Sequence, residues 1–295
     1  MPIGFMDKFS RSWEITKLTF SIIKNDKTML LFPLLSSIFS ILFVLALIVP
    51  AIFLPFLTTG AVNEITTLAI LFVLYFGLAF LATFFNVCVV YYTKETFANK
   101  QVTFSNTLGF AFSNIGRIAA WALVSATVSV LIRILENATR RMGGIGQIIS
   151  RIALAGAAMG WAIATVFVIP SIVYDKKGPF AAIKQSVGVL RKTWGESLIR
   201  YVGLGMIQGL VTIIGGALLL FLAFMSFSIS ATLGIIMIVL FILFLVVVSL
   251  VFQIANDIFN TALYEYAQNG VVPRGFNQSS LSNAFAKDDS NQNQM

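Results

Sequence analysis

Long apolar stretches, separated by short charged segments, dominate the pattern of this chain. No charged residue occurs in residues 28–63, 65–93, 152–174 or 201–256. A helix needs about 20 residues to cross the ~30 Å hydrocarbon layer of a bilayer, so the last stretch holds two crossings. The stretches lack the alternation of a membrane β-barrel, whereas helices satisfy their backbone hydrogen bonds internally. The pattern predicts an all-α membrane protein.

Six transmembrane helices are predicted. They cover residues 29–57, 68–92, 118–135, 152–174, 197–224 and 233–256. The third is the shortest, because Arg117 and Arg133 enclose it, and it crosses only if both arginines extend to the membrane interfaces.

The distribution of basic residues supports that third crossing. With a cytoplasmic N-terminus, four of the 20 lysines and arginines lie outside, which leaves 20 − 4 = 16 inside. These four are Arg133, Arg140, Arg141 and Arg151. Without the third crossing the split becomes 12 to 8, against the preference of cytoplasmic loops for basic residues. We therefore predict that both termini are cytoplasmic; the arginine-rich loop 137–150 is the exception to this pattern.

Composition agrees with a lipid environment. The chain is 58% hydrophobic and 11% charged, with a mean hydropathy of +0.91; soluble proteins have about 45–50% apolar and about 25% charged residues. The net charge of +8 suits either nucleic acid or anionic lipid. In a protein with several crossings the lipid interpretation is preferred. The predicted partners are the lipid bilayer and anionic lipid headgroups at the basic cytoplasmic helices, with no nucleic acid; protein partners are unknown.

An amphipathic segment precedes each pair of crossings. The apolar positions of the three segments are Phe5, Phe9, Trp13, Thr16, Phe20 and Ile23, then Phe104, Leu108, Ala111 and Ile115, then Phe180, Ile183, Val187, Leu190 and Trp194. Helices with such a stripe and a basic polar face lie in the membrane interface. Residues 85–92 and 259–266 also share the pattern Phe-Asn-x-small-aliphatic-x-x-Tyr. We predict three parallel helical-hairpin units with amphipathic interfacial helices.

Two regions follow from this organisation. Residues 1–276 form the six-helix membrane domain. Residues 277–295, rich in Asn, Ser and Gln, form a disordered polar cytoplasmic tail.

Several segments carry a family resemblance. The sequences FMDKFSRSWE at 5–14, LFPL at 31–34 and LYEYA at 263–267, with Gly270, resemble a prokaryotic family of six-helix integral membrane proteins that has only a domain-of-unknown-function label. The chain is also distantly similar to the membrane domain of some glycerophosphodiester phosphodiesterases, without their catalytic domain. The resemblance implies a multi-pass protein of the prokaryotic cytoplasmic (inner) membrane and implies no activity.

Residues suited to catalysis are scarce. The chain has no histidine and one cysteine, Cys88, and it contains no phosphate-binding or dinucleotide-binding motif. We predict no catalytic residue, no cofactor and no metal, and no enzymatic activity.

The sixth helix carries the most notable polar feature. Gln253, Asn256, Asp257 and Asn260 recur at intervals of three and four residues and share one helical face near the cytoplasmic end. Such a face is either a site for an ion or solute or a set of interhelical hydrogen bonds with an interfacial aspartate. Arg117 and Arg200 begin their crossings at a similar depth and are possible ion-pair partners of Asp257, whereas Arg133 has Glu136 one turn away.

Two functional hypotheses remain at this stage. The preferred one is a non-enzymatic membrane module that organises lipid or partner proteins; the alternative is a small transporter or channel with a cytoplasm-facing polar site on the sixth helix. The glycine pairs Gly156/Gly160 and Gly205/Gly209 predict close helix contacts within the chain, in preference to dimerisation.

Overall fold

The computed structural model describes Trp13 and residues 16–24, 26–57, 64–141, 143–193 and 203–276. All regular structure in these residues is helical. After helical residues 16–24 and a 3₁₀ turn at Lys27–Leu30, the helices are α1 (Leu31–Leu57), α2 (Glu64–Phe97), α3 (Phe104–Ser113), α4 (Ile115–Arg140), α5 (Gly144–Ala164), α6 (Val168–Asp175), α7 (Pro179–Thr193), α8 (Gly203–Phe227) and α9 (Ala231–Asn269).

Six helical stretches are long and apolar enough to cross a membrane, which confirms the predicted number. They are Lys27–Pro50, Ile65–Phe97, Ile115–Arg140, Gly144–Asp175, Ile207–Phe227 and Ala231–Asn269. The short third prediction corresponds to α4, an uninterrupted helix of 26 residues. The sixth prediction ended at Asn256, but α9 continues to Asn269. Hydropathy marks only residues that prefer lipid, whereas most residues from Ile258 to Tyr264 are buried in protein.

The fourth crossing is interrupted between α5 and α6. Pro170 has no N–H to donate to the carbonyl four residues earlier, and its ring collides with that carbonyl, so the helix breaks just before it. The hydroxyl of Thr165 donates to the Trp161 carbonyl at 2.9 Å and helps to end α5. Five of the eight residues of the short helix α6 that follows are buried.

The chain divides into two compact units. The first comprises Met1–Pro33 and Arg191–Met295, and the second comprises Leu34–Leu190. In the first, α9 packs against α8 and the 3₁₀ turn, and the Phe244 ring lies against Gly215. In the second, α2 contacts α3, α4 and α6, and α4 contacts α5.

Three pairs of consecutive crossings, each within one unit, are antiparallel neighbours. In the second unit, the Phe43 ring of α1 occupies the space beside Gly77 of α2, and Phe39 stacks on Phe85 with ring centroids 6.0 Å apart. Between α4 and α5, Trp121 stacks on Trp161 at 5.9 Å. The α8–α9 contact completes three such pairs.

Burial is concentrated at one end of these helices. Within each crossing, only 11–22% of the most apolar window is buried inside the protein. Buried side chains cluster in residues 83–93 of α2 and 252–264 of α9, whereas α5 has no buried residue. The remaining lengths of the crossings present apolar side chains outward.

Three segments share one burial pattern. In residues 84–91, 167–174 and 258–265, two buried positions are followed by one half-buried, four buried and one half-buried position. The Phe-Asn pattern occurs only in the first and last of these, because the middle segment, FVIPSIVY, has no Phe-Asn pair. Equivalent burial therefore extends to all three pairs of crossings.

The amphipathic helices bury mainly small and polar side chains, and α7 also buries Val189 and Leu190. In α3 the buried residues are Thr107 and Ala111, while Phe112 is 59% exposed. In α7, Ala182 and Ser186 are fully buried, while Phe180 is 76% exposed. In the first predicted segment, Trp13 is exposed and Thr16 and Ile23 are buried. Phe5 and Phe9 of that segment and Trp194 of the third lie outside the described residues.

Candidate functional site

The candidate site is the polar face on the C-terminal half of α9. Because α9 is continuously helical to Asn269, Gln253, Asn256, Asp257 and Asn260 share one face. All four are half-buried. The rest of this stretch is buried, at Phe252, Ile254, Ala255, Ile258, Phe259, Thr261, Ala262, Leu263 and Tyr264. The polar groups therefore lie where α9 packs into the protein and not where it faces lipid.

Hydrogen bonding separates Asp257 from its neighbours. Asn256 donates its amide Nδ2 to the Phe252 carbonyl at 2.9 Å, and Thr261 donates its hydroxyl to the Asp257 carbonyl at 2.6 Å. Gln253 and Asn260 also have interaction partners. The carboxylate oxygen Oδ2 of Asp257, in contrast, is buried and accepts no hydrogen bond from the described residues. A buried acceptor left unpaired costs about 1–3 kcal/mol, and more when charged.

Two other segments of the first unit, at Phe20 and at Phe276, pack against this stretch of α9. Phe20 meets Phe252 edge to face at 5.5 Å between ring centroids. Gly270, in the left-handed conformation with φ 67°, ends α9. The chain then turns back so that Phe276 packs on Phe259 at 6.2 Å.

The predicted ion pairs have different outcomes. Arg133 and Glu136 form the expected pair, with 3.4 Å between Nη1 and Oε2. Arg117 belongs to the second unit, where its Nη1 donates to Asn114 Oδ1 at 2.8 Å, and Arg200 lies outside the described residues. An ion pair of Asp257 with either arginine stays a prediction.

Tyr264 is a further member of this face, and it was not predicted from the sequence. It follows Gln253, Asp257 and Asn260 by eleven, seven and four residues, so it continues the same helical stripe. It is 1% exposed and among the largest fully buried side chains of the described residues. The spacing could have identified it, but tyrosine was considered only as part of the repeated motif.

Close helix approach occurs at other glycines than those predicted. A Cβ added at Gly156, Gly160, Gly205 or Gly209 would meet no atom within 4 Å, so the predicted contacts within the chain at these pairs are wrong for the described residues. The GxxxG spacing marks a smooth helix surface without specifying what covers it. At Gly77 and Gly215 a phenylalanine ring fills the space instead.

Potential metal ligands are dispersed. Across the described ranges, no three cysteine, aspartate or glutamate side chains lie close enough together to hold a metal ion. Cys88 is fully buried in the packed segment of α2.

The fold and this site define a helical integral membrane protein with six crossings. The chain belongs to DUF6159, a family of unknown function whose pattern matches residues 65–274. No curated protein and no solved structure matches the chain. Membership of a family of unknown function is thus confirmed, whereas the distant similarity to the membrane domain of glycerophosphodiester phosphodiesterases finds no support in these comparisons.

Proposed function

We propose that this protein is a non-enzymatic membrane module that organises lipid or partner proteins around its helices. The observation that carries the proposal is the large outward-facing apolar surface. In α5, for example, Ile148, Ile152 and Met159 are at least 60% exposed. Side chains that do not pack within the chain are available to acyl chains or to helices of another protein.

The proposed architecture is a membrane domain of residues 1–276, followed by a polar cytoplasmic tail of residues 277–295. Three helical hairpins are arranged as parallel repeats, and the antiparallel pairs and the common burial pattern support this arrangement. The amphipathic helices lie in the interface, as supported by the outward-facing rings of Phe112 and Phe180. We place both termini on the cytoplasmic side of a prokaryotic inner membrane, with anionic headgroups at the basic cytoplasmic helices.

The proposed function is tested by measuring whether the protein restricts the motion of lipids with one headgroup more than that of lipids with another. The full chain is reconstituted with spin-labelled phosphatidylglycerol or spin-labelled phosphatidylcholine, and the motionally restricted fraction is measured by electron spin resonance. We expect a larger restricted fraction for phosphatidylglycerol, and high salt should reduce the difference because it screens surface charge. Equal fractions for the two lipids would contradict lipid organisation by this chain.

The orientation is tested by cysteine labelling. In a Cys88→Ser background, Met142→Cys should react with a membrane-impermeant maleimide added outside, and a reporter fused after Phe276 should read cytoplasmic. A cysteine in loop 98–103 is the matched control and should be protected in intact cells. Labelling of position 142 only after cells are opened would reverse the proposed orientation.

A small transporter or channel is the alternative function, because the Oδ2 atom of Asp257 is buried and accepts no hydrogen bond from the part of the chain that the structure describes. Such an oxygen, on a face that also carries three amide side chains, has the chemistry to receive a proton or a small cation.

Asp257→Asn separates the two functions. We expect this variant to remain folded with unchanged or higher stability, because the amide keeps the carboxylate's shape and removes a charge that is costly when buried. Vesicles with wild-type protein should show the same proton and cation leak as empty vesicles. Flux that wild type supports, Asp257→Asn abolishes and Asn260→Ala only weakens would establish the alternative. If Arg117 or Arg200 pairs with Asp257, its alanine variant should be destabilised, and Asp257→Asn should partly restore stability.

A further inference from the structure

A cleft lies between the C-terminal end of α4 and the middle of α5, within the second compact unit. Its volume is about 410 Å³. Its lining comprises Ile132, Glu136, Thr139 and Arg140 from α4 and Arg151, Leu154, Ala155 and Ala158 from α5. The small side chains of Ala155 and Ala158 leave the space open.

The cleft lining has a net positive charge. It contains Arg140, Arg151 and Glu136, a net charge of 2 − 1 = +1. Glu136 is already paired with Arg133, which is not part of the lining. The guanidinium groups of Arg140 and Arg151 form no ion pair or hydrogen bond with another described residue. Two guanidinium groups therefore line one cleft without an acidic partner in the described part of the chain.

The ligand chemistry follows from the residue types. A guanidinium group presents parallel N–H donors that match two oxygens of a phosphate, and basic pockets between membrane helices bind phosphate-bearing headgroups. The lining changes from Arg140 and Thr139 at the helix end to Ile132 and Ala158 further along the crossing. A ligand that fits this gradient carries an anionic phosphate at one end and an acyl chain at the other.

We propose that this cleft binds the phosphate of an anionic phospholipid, with Arg140 and Arg151 as its ligands and the acyl chain along α4 and α5. The exposed side chains of Leu135, Ile148 and Ile152 beside it extend the apolar surface. The inference rests on the proposed function in that it assigns a lipid class and a site to lipid organisation. The proposed site does not depend on the side of the membrane on which α4 ends.

The test measures lipid binding to the full chain in detergent by native mass spectrometry. The probes are short-chain phosphatidylglycerol, short-chain phosphatidylcholine and glycerol 1-phosphate. Arg140→Gln and Arg151→Gln each remove one charge from the cleft, whereas Arg141→Gln removes one charge from the same exposed segment outside the cleft lining. Arg151→Lys retains the charge without the bidentate donor geometry.

We expect phosphatidylglycerol to bind more tightly than either other probe. Each cleft substitution to glutamine should weaken it about tenfold, as for loss of a charge-assisted hydrogen bond, and Arg141→Gln should weaken it less than about twofold. Arg151→Lys should give an intermediate value, and this variant decides the result if a glutamine variant fails to fold. Equal losses at all three arginines would mean diffuse electrostatic attraction and would overturn the site.

Two further outcomes would also overturn it. Glycerol 1-phosphate binding as tightly as the lipid would indicate a site for a soluble phosphate, and equal binding of the two lipids would show that the site does not select an anionic headgroup over a zwitterionic one. If spin-labelled phosphatidylglycerol is still selectively restricted while the cleft variants bind like Arg141→Gln, only the site is wrong. If the wild type selects no anionic lipid in either measurement, the proposed lipid organisation fails with it.

Discussion

Replacing Tyr264 with alanine should lower the free energy of unfolding by about 3–5 kcal/mol, as for other buried aromatic side chains cut to alanine. Tyr264 is 1% exposed and lies in the stretch of α9 where Ile258, Ala262 and Leu263 are also fully buried. Its removal leaves a cavity that neighbouring backbone, held in a helix, closes only in part. Reversible unfolding in mixed micelles measures the change.

Two further variants define the cause of that loss. Phe224→Ala removes an aromatic ring that is 70% exposed on α8 and should cost much less, because that ring contacts lipid or detergent in the folded protein. Tyr264→Phe keeps the ring and should cost at most about 0.5–1.5 kcal/mol, the usual net contribution of one hydrogen bond. Equal destabilisation by Tyr264→Ala and Phe224→Ala would show that the packed end of α9 is not the source of stability.

Gly77→Leu should destabilise the α1–α2 pair by about 1–3 kcal/mol, the usual range for overpacking. The Phe43 ring already occupies the position of a Cβ at Gly77, so the leucine side chain forces that ring out of its place. The melting temperature in detergent should fall accordingly.

A double-mutant cycle tests the cause directly. Phe43→Ala should recover much of the loss, because it vacates the space that the leucine needs, with a coupling energy of about 0.5–3 kcal/mol. Gly160→Leu is the matched control, since a Cβ there meets nothing within 4 Å. Equal losses at Gly77 and Gly160 would indicate an effect of leucine itself and not of the Phe43 contact.

The crossings could be predicted because the residues that lie in lipid are the residues with high hydropathy. The uncharged run 201–256 required two helices by length alone, and α8 and α9 are those helices. The continuation of α9 to Asn269 could not be predicted in this way, because burial against protein maintains it. Likewise, the burial of residues 167–174 could not be predicted from their residue types.

The inward faces of α3 and α7 show a second limit of sequence patterns. In a soluble protein an apolar stripe marks the side that faces the core. In a membrane interface the bulky apolar stripe can face lipid, and small or polar residues such as Thr107, Ala182 and Ser186 then mark the protein side. Periodicity located these helices and included the buried Ala111 and Leu190 in its stripes, but it did not identify Thr107, Ala182 or Ser186 as packed residues.

The candidate site was predicted in part. Spacing alone placed Gln253, Asp257 and Asn260 on one face, because a continuous helix fixes the angular position of each residue. Asn114, the acceptor for Arg117, lies only three residues before it, so this local hydrogen bond could have been predicted from spacing, whereas burial of the Asp257 carboxylate depends on segments distant in sequence.

The uninterrupted length of α9 has a mechanical consequence. At 1.5 Å per residue, its 39 residues extend over about 58 Å, nearly twice the ~30 Å hydrocarbon layer. Between Gly234 and Gly270 it contains neither glycine nor proline, the residues at which helices bend. A bilayer of different thickness changes the tilt of the lipid-facing half, and a stiff rod transmits that tilt to the half that carries Asp257 and Tyr264. We therefore expect the packing of its polar face to respond to the thickness of the surrounding membrane.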